Sequence, residues 1–396
     1  LKEYFNISSD DEAALIVDNE LSDYKAKIID KKIYVDYKFV HDSLNSRFYW
    51  DANENVLLYT TASDIISAAA DSNSYSVTKQ TNDFGYPIVK ATSDSALIAL
   101  DYVKQYSNIT VKSYDDPARI VITSKWDEID SATVSNSTQI RVKGGIKSPI
   151  LKEVKKDDKI TILDSGDKWD KVATEDGVIG YIKRKALSES KKTKLTNPDY
   201  EEETFTHIKK DKDICLAWNQ VTSQSANSKV PQVISSTKGI NVMSPTWFYL
   251  NDNNGNLADI ASKDYVSYCH SQGIEVWGLF SNLENTDVDA AYVLTHTSTR
   301  TTLINQIMSA AFNYELDGVN IDFENITEAA YGDSYIEFIR ELSIKCHNNG
   351  ISLSVDVTVP ASFNKFFNRS DMANFADYIV IMGYDEHYKG CDAGSV

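Results

Sequence analysis

Asn320, Asp322 and Glu324 occupy alternate positions in the run Leu316-Asp317-Gly318-Val319-Asn320-Ile321-Asp322-Phe323-Glu324. Side chains of a β-strand point alternately to its two faces, so these three polar groups share one face and Val319, Ile321 and Phe323 the other. The apolar face predicts helices packed behind the strand, and the polar face predicts a site. Two carboxylates held this close in a buried setting raise at least one pKa, because like charges do not ionise cheaply together. A carboxylic acid kept protonated at neutral pH can act as a general acid. The structural alternative is an acidic turn after a buried strand, which leaves two acids alternating with aliphatics unexplained.

The elements around this run predict how it is held. From residue 213 onward six strands are expected, at 214–218, 239–244, 274–280, 316–323, 351–357 and 378–382, each followed by a helix or loop. Several are near-continuous apolar runs, as in strands buried on both faces. Cys269-His270-Ser271-Gln272-Gly273-Ile274 and Cys346-His347-Asn348-Asn349-Gly350-Ile351 repeat one pattern, a helix capped by Gly before a strand that opens on Ile. Repeated βα units of this kind indicate a (β/α)8-type barrel over 206–396. A doubly wound sheet is the alternative, but no Gly-rich phosphate loop follows the first strand. The segment has 191 residues (396 − 206 + 1) and six strands, against about 250 residues for a complete eight-stranded barrel. The expectation is therefore a barrel truncated after its sixth strand, in a piece of a longer protein.

Upstream, composition divides the chain into an α+β module (1–135), a small all-β domain (136–190) and a polar, charged linker (191–205). The first contains an internal repeat in which Ile33-Tyr34-Val35-Asp36-Tyr37-Lys38-Phe39-Val40 aligns with Ala96-Leu97-Ile98-Ala99-Leu100-Asp101-Tyr102-Val103. Each copy predicts strand, short helix, strand, polar turn, strand, and the module resembles the N-terminal repeat of copper amine oxidases. The second, from Ile140-Arg141-Val142-Lys143 through Lys168-Trp169-Asp170-Lys171-Val172 to Gly180-Tyr181-Ile182, resembles a bacterial Src-homology-3-like domain. That resemblance implies binding of cell-wall peptide, with Ile-Arg-Val standing where the usual opening is Asn-Val-Arg; a packing spacer is the plainer alternative.

The chain has 40 Lys+Arg against 58 Asp+Glu, a formal net charge of −18, which argues against a nucleic-acid partner. No apolar run approaches the ~18 residues of a membrane helix. Four cysteines make no disulfide scaffold, and Cys269 and Cys346 are expected as buried free thiols. Among the histidines, His207, His270, His296 and His347 lack ligand spacing, so no metal and no cofactor is expected. His387, beside Asp385 and Glu386, could bind metal or shape a sugar site. Asn251 to Asn256 suggests a tight turn rather than a calcium loop.

The run Asp317-Gly318-Val319-Asn320-Ile321-Asp322-Phe323-Glu324 resembles the Asp-Gly-x-Asp-x-Asp-x-Glu pattern of glycoside hydrolase family 18, the chitinase-type barrels. Asn320 stands at the middle Asp, as in spore- and wall-associated bacterial members. Met382-Gly383-Tyr384-Asp385 resembles a second family motif, and Ser244-Pro245-Thr246-Trp247, Val276-Trp277 and Ala217-Trp218-Asn219-Gln220 close the other strands in a similar way. The resemblance implies that Glu324 protonates the glycosidic oxygen while the substrate's own 2-acetamido oxygen attacks the anomeric carbon, the substrate-assisted exception to the two-carboxylate scheme. Asp322 would orient the acetamido N–H, Asn320 would hydrogen-bond Asp322, Tyr384 would hold the acetamido carbonyl, and Asp385 would touch the same sugar. Met382 is carried along as a binding residue. Trp218, Trp247 and Trp277 are equally readable as sugar platforms or as barrel core.

The resemblance thus implies a retaining enzyme for N-acetylglucosamine-containing glycans, secreted or attached to the cell surface. Peptidoglycan is preferred over chitin because the motif runs resemble the wall-lytic subgroup. The rivals are a chitinase-like hydrolase and a non-catalytic, lectin-like wall binder. Oligomeric state is left open by the sequence.

Overall fold

The computed structural model describes the chain except Asn325, Thr327, Glu328, Asp385, Glu386, Tyr388, Lys389, Ser395 and Val396, and the side chains of Ala329, Ala330 and Phe363. Packing divides it into two units. One comprises Leu1–Phe48, Ala68–Ser74 and Asp83–Glu202; the other comprises Tyr49–Ser67, Tyr75–Asn82 and Glu203–Val396.

The first unit holds two seven-stranded sheets. In one, the internal repeat lies side by side: Lys32–Asp36 pairs antiparallel with Ala96–Ala99, Val35 opposite Ile98. Each of these strands runs into a short helix, Tyr37–Phe39 or Leu100–Gln105. The other sheet is antiparallel and includes Thr138–Arg141, Ile150–Val154, Lys159–Asp164, Trp169–Thr174 and Ile179–Lys183. Ala14 and Ile16 from the first sheet share a buried cluster with Ile140, Val154, Ile160, Val172 and Ile182 from the second.

Two expected boundaries shift. Lys191–Lys194, expected within the linker, is an exposed strand paired with Glu128–Thr133. Cross-strand polar pairs replace burial there: Lys192 stands opposite Asp130 at 3.0 Å, and Ser131 Oγ lies 2.7 Å from Thr193 Oγ1. The hairpin Phe48–Asp51 and Val56–Thr60, expected in the N-terminal module, packs from Tyr49 onward with the second unit.

In the second unit six parallel strands lie in sequence order: β1 (Leu216–Asn219), β2 (Val242–Pro245), β3 (Glu275–Ser281), β4 (Gly318–Asp322), β5 (Ser352–Thr358) and β6 (Tyr378–Met382). All six expected strands form. Their order never reverses, which removes the doubly wound alternative and is the order of a partial (β/α) barrel. Between them run α1 (Val230–Ser235), α2 (Lys263–Ser271), α3 (Ala290–Thr295), α4 (Thr297–Tyr314), α5 (Ala329–His347) and α6 (Arg369–Phe375). Val276, Phe280, Val319, Ile321, Leu353 and Val355 pack against Leu303 and Ile307 of α4 and Ile336, Ile339 and Leu342 of α5. A hairpin, Phe248–Leu250 with Leu257–Asp259, is inserted after β2, and Asp252 closes its turn by accepting from the Asn254 and Asn256 N–H groups.

The two Gly-Ile repeats are one device used twice. Gly273 and Gly350 sit at φ 72° and 68°, and the Ile274 and Ile351 N–H groups each donate 3.0 Å to the carbonyls of Cys269 and Cys346. The adjacent histidines then meet an aspartate at the foot of a strand. His270 Nε2 lies 2.8 Å from Asp317, whose carboxylate also accepts from the Val276 N–H at 2.8 Å. His347 Nε2 lies 3.0 Å from Asp377, which accepts from the Leu353 N–H at 2.8 Å. Each aspartate thus ties a helix end to a neighbouring strand and fixes where β4 and β6 begin. Cys269 and Cys346 are buried free thiols.

At the N-terminus of α4 the N-cap residue, His296, makes no side-chain capping bond. Asp51 and Glu54, from the turn after Phe48–Asp51, supply the cap instead. Asp51 Oδ2 accepts from the Thr297 N–H at 2.7 Å and its hydroxyl at 2.6 Å, and Glu54 accepts from the Ser298 N–H at 3.0 Å. Thr60 donates to the buried Glu337 at 2.7 Å, which also pairs with Arg340 at 2.9 Å. Asp51→Ala should cost about 1–2 kcal/mol, seen as a lower urea midpoint at unchanged slope. An unshifted midpoint would show that the cap contributes nothing.

Candidate active site

The register of the parallel strands builds the site. Leu279, Asn320 and Ser354 are cross-strand partners on β3, β4 and β5, and Ser281 stands beside Asp322 one pleat further along. With Ile321 opposite Val355, the next step along both strands sets Asp322 beside Asp356. Val319, Ile321, Val355 and Val357 take the opposite, helix-packed face.

Asn320 is fully buried and every hydrogen-bonding site on its carboxamide is used. Its Oδ1 accepts from Trp218 Nε1 at 2.9 Å and Ser244 Oγ at 3.0 Å; its Nδ2 donates to Ser354 Oγ and to Asp356 Oδ1, both at 2.8 Å. The expected bond from Asn320 to Asp322 is therefore replaced. Both amide N–H groups are taken by acceptors on the next strand, because Asp322 follows Asn320 on the same strand while Ser354 stands across from it and Asp356 lies two residues further along β5.

Asp322 is half-buried, and its Oδ1 has no hydrogen-bond partner among the described residues. Burial first, then the charges of Glu324 and Glu284, push its carboxyl up to about 7. Near neutrality it is thus poised between acid and anion. Glu324, just past the strand end, is exposed, and its backbone N–H donates to Asn282 Oδ1 at 3.1 Å. Ser281 hydrogen-bonds Glu284. Asp356 is 4% exposed; burial, helped by Asp322 and Glu324, raises its carboxyl to about 8.

The aromatic candidates separate. Trp218 is 40% and Tyr384 46% exposed, and their rings meet edge to face at 6.5 Å, forming an open aromatic wall beside Asn320. The Tyr384 hydroxyl donates to Met382 Sδ at 3.1 Å, with Met382 itself buried. Trp247 and Trp277 are corrected to core. Trp247 is fully buried against Tyr265, its N–H donated to Asn227 Oδ1 at 2.8 Å. Trp277 packs on Tyr378 near the foot of the barrel, its N–H donated to Glu275, four residues before the Ser281 that flanks Asp322. At about 3.3 Å per residue that is roughly 13 Å from the acids. Asp385 and Glu386 lie outside the described residues. His387 Nδ1 lies 2.9 Å from the Asp392 carbonyl. Among the described residues no group of three or more His, Cys, Asp or Glu could hold a metal ion, and no helix is long and apolar enough to cross a membrane.

Sequence reasoning missed Asp356, Ser244, Ser354, Asn282 and Glu284. For Asp356 the signal was present: Ser352-Leu353-Ser354-Val355-Asp356-Val357 alternates polar and aliphatic as the β4 run does.

Residues 280–393 match the family described as "Glycosyl hydrolases family 18". The chain is 24% identical over 159 residues to "Uncharacterized glycosylase YvbX" of Bacillus subtilis, covering 37% of this chain and 45% of the relative. It is 31% identical over 108 residues to "Putative sporulation-specific glycosylase YdhD" of the same organism, covering 26% of each. It thus spans less than half the length of both. A solved chitinase from Chromobacterium violaceum aligns with TM-score 0.39 and 20% identity over 46% of this chain and 59% of that one. The matched stretch begins at the end of β3 and takes in β4, β5 and β6, and over it the chain is similar to that family.

Proposed function

We propose that this chain is a glycosidase that hydrolyses N-acetylglucosamine-containing bonds, with bacterial peptidoglycan as its substrate. The observation that carries this reading is the pairing of an inward, half-buried Asp322, raised to about 7, with an exposed Glu324 at the strand end. A glycan laid along the Trp218–Tyr384 wall reaches both. Glu324 protonates the glycosidic oxygen, and the departing sugar leaves with that proton. The substrate's acetamido oxygen attacks the anomeric carbon, so the electrons lost to the leaving group are replaced from within the sugar. Asp322, ionised, accepts the acetamido N–H and balances the positive charge of the oxazolinium-like intermediate. The Tyr384 hydroxyl turns from Met382 to the acetamido carbonyl. Water then opens the intermediate from the side the leaving group vacated, with the same carboxyl of Glu324 taking its proton, so configuration is retained.

The choice of peptidoglycan is supported by the sporulation-specific description of YdhD and by the all-β sheet of the first unit, which we take as the wall-associating module. Such a polymer lies outside the cytoplasmic membrane, so the protein acts at the cell surface or beyond. The measurement is release of reducing ends from purified peptidoglycan and from chitin oligosaccharides side by side. The parent should be faster on peptidoglycan, and Glu324→Gln should lose about 1000-fold or more at an unchanged melting temperature. Unchanged release by Glu324→Gln removes the mechanism; faster cleavage of chitin replaces the substrate; binding of wall fragments with no turnover favours the lectin. Tyr384→Phe, which deletes one hydrogen bond to the reacting amide, should lower kcat about 10- to 100-fold. A kcat equal to the parent's would remove Tyr384 from the chemistry.

A further inference from the structure

Asp356 has no role in the proposed hydrolysis, yet it is the acid buried deepest beside it. It is 4% exposed, sits one register step from Asp322, and accepts from a neutral amide, Asn320 Nδ2. Its Oδ2 has no hydrogen-bond partner among the described residues. Among the described residues, the titratable groups acting on it are Asp322 and Glu324 on β4 and its loop and the buried Tyr335 hydroxyl on α5, while Glu284 after β3 acts on Asp322. None of the three acids Asp322, Glu324 and Asp356 has an ion-pair partner among the described residues. An anion in that setting, with a second anion next to it, costs far more than a neutral carboxyl does. Two neighbouring acids that interact this closely titrate as a pair, giving up one proton well before the other. The more exposed member ionises first, and that is Asp322.

Resting on the glycosidase reading, we propose that Asp356 is a positioning residue of this site, a neutral carboxyl that fixes Asn320 and leaves Asp322 as the single anion of the pair. Asn320 is the coupling element. Its Oδ1 takes the Trp218 and Ser244 donors, so its Nδ2 needs acceptors on β5, and Asp356 Oδ1 is one of them. This explains why an amide stands at 320. A carboxylate there would lack the two N–H donors that Ser354 and Asp356 accept, and it would add a third acid to the barrel interior. Keeping Asp356 neutral confines the negative charge to Asp322, where the cationic intermediate forms.

The test uses Asp356→Asn, which keeps the shape and the acceptor without a titrating proton, and Asp356→Ala, which removes both. Asp356→Ala should lower kcat on peptidoglycan about 30-fold with KM changed less than about threefold, and Asp356→Asn should recover about tenfold of that loss. A second readout needs no turnover. The folded-state value of Asp356, about 8, lies above the ordinary 3.8, so its contribution to stability is complete below about pH 4 and is lost as pH rises through 8. The melting temperature of the parent should therefore fall between pH 6 and 9 by about 5 °C more than that of Asp356→Asn. Superimposable melting profiles, or Asp356→Asn as impaired as Asp356→Ala, would overturn the assignment. A parent inert on every glycan whose melting profile still flattens in Asp356→Asn would instead sink the glycosidase reading and leave the charge assignment standing.

Discussion

Four hydrogen bonds meet on the carboxamide of Asn320, and they join β1, β2, β4 and β5 across the barrel interior. No water-exposed group can substitute for them, because the amide is fully buried and each atom is matched to one partner chemistry. The inner wall is set by this constraint. Trp218 is held by its N–H and so presents its ring at the barrel mouth, Ser354 and Asp356 are held on β5, and Asp322 is left with an oxygen that has no partner among the described residues. The reactive part of the site is what remains when the structural part has used its donors.

The foot of the barrel makes that arrangement possible. Asp317 and Asp377 each bridge a helix-end histidine and a backbone N–H of the strand beside their own. Since side chains alternate with period two, a slip of one residue in β4 would turn Asn320 and Asp322 outward into the helices. The clamp on Asp317, one residue before β4, is therefore a control on which face carries the acids. Behind β4, the start of α4 is fixed by Asp51 and Glu54 and its Arg300 is buried against Glu341, so the helix that feeds this strand is anchored at its own beginning.

Much of this was legible from residue order. The alternation 320-322-324 predicted an inward polar face, and the two Gly-Ile repeats predicted helix caps, because both depend on local backbone geometry. The six strands followed from apolar runs of the right length. What was not legible depended on partners far away in the chain. Nothing in Asp51 or Thr60 announces a helix more than 200 residues later, and the exposed Lys191–Lys194 strand exists through polar pairing with Glu128–Thr133. Trp247 and Trp277 could not be placed because a parallel strand is buried on both faces, so a tryptophan at its end fits core and site alike. Asp356 was hidden inside a run read only as apolar. Its polar alternation became meaningful once register set it beside Asp322.

The central claim is that the acetamido group of the substrate, steered by Asp322, replaces a protein nucleophile. The direct measurement is proton NMR of the newly formed reducing end in the first minutes of digestion, before mutarotation scrambles the anomers. The account predicts that the nascent sugar has the configuration of the bond that was cut and carries an N-acetyl group at C2. An inverted anomer, or equal cleavage of a glycan lacking that group, would contradict it.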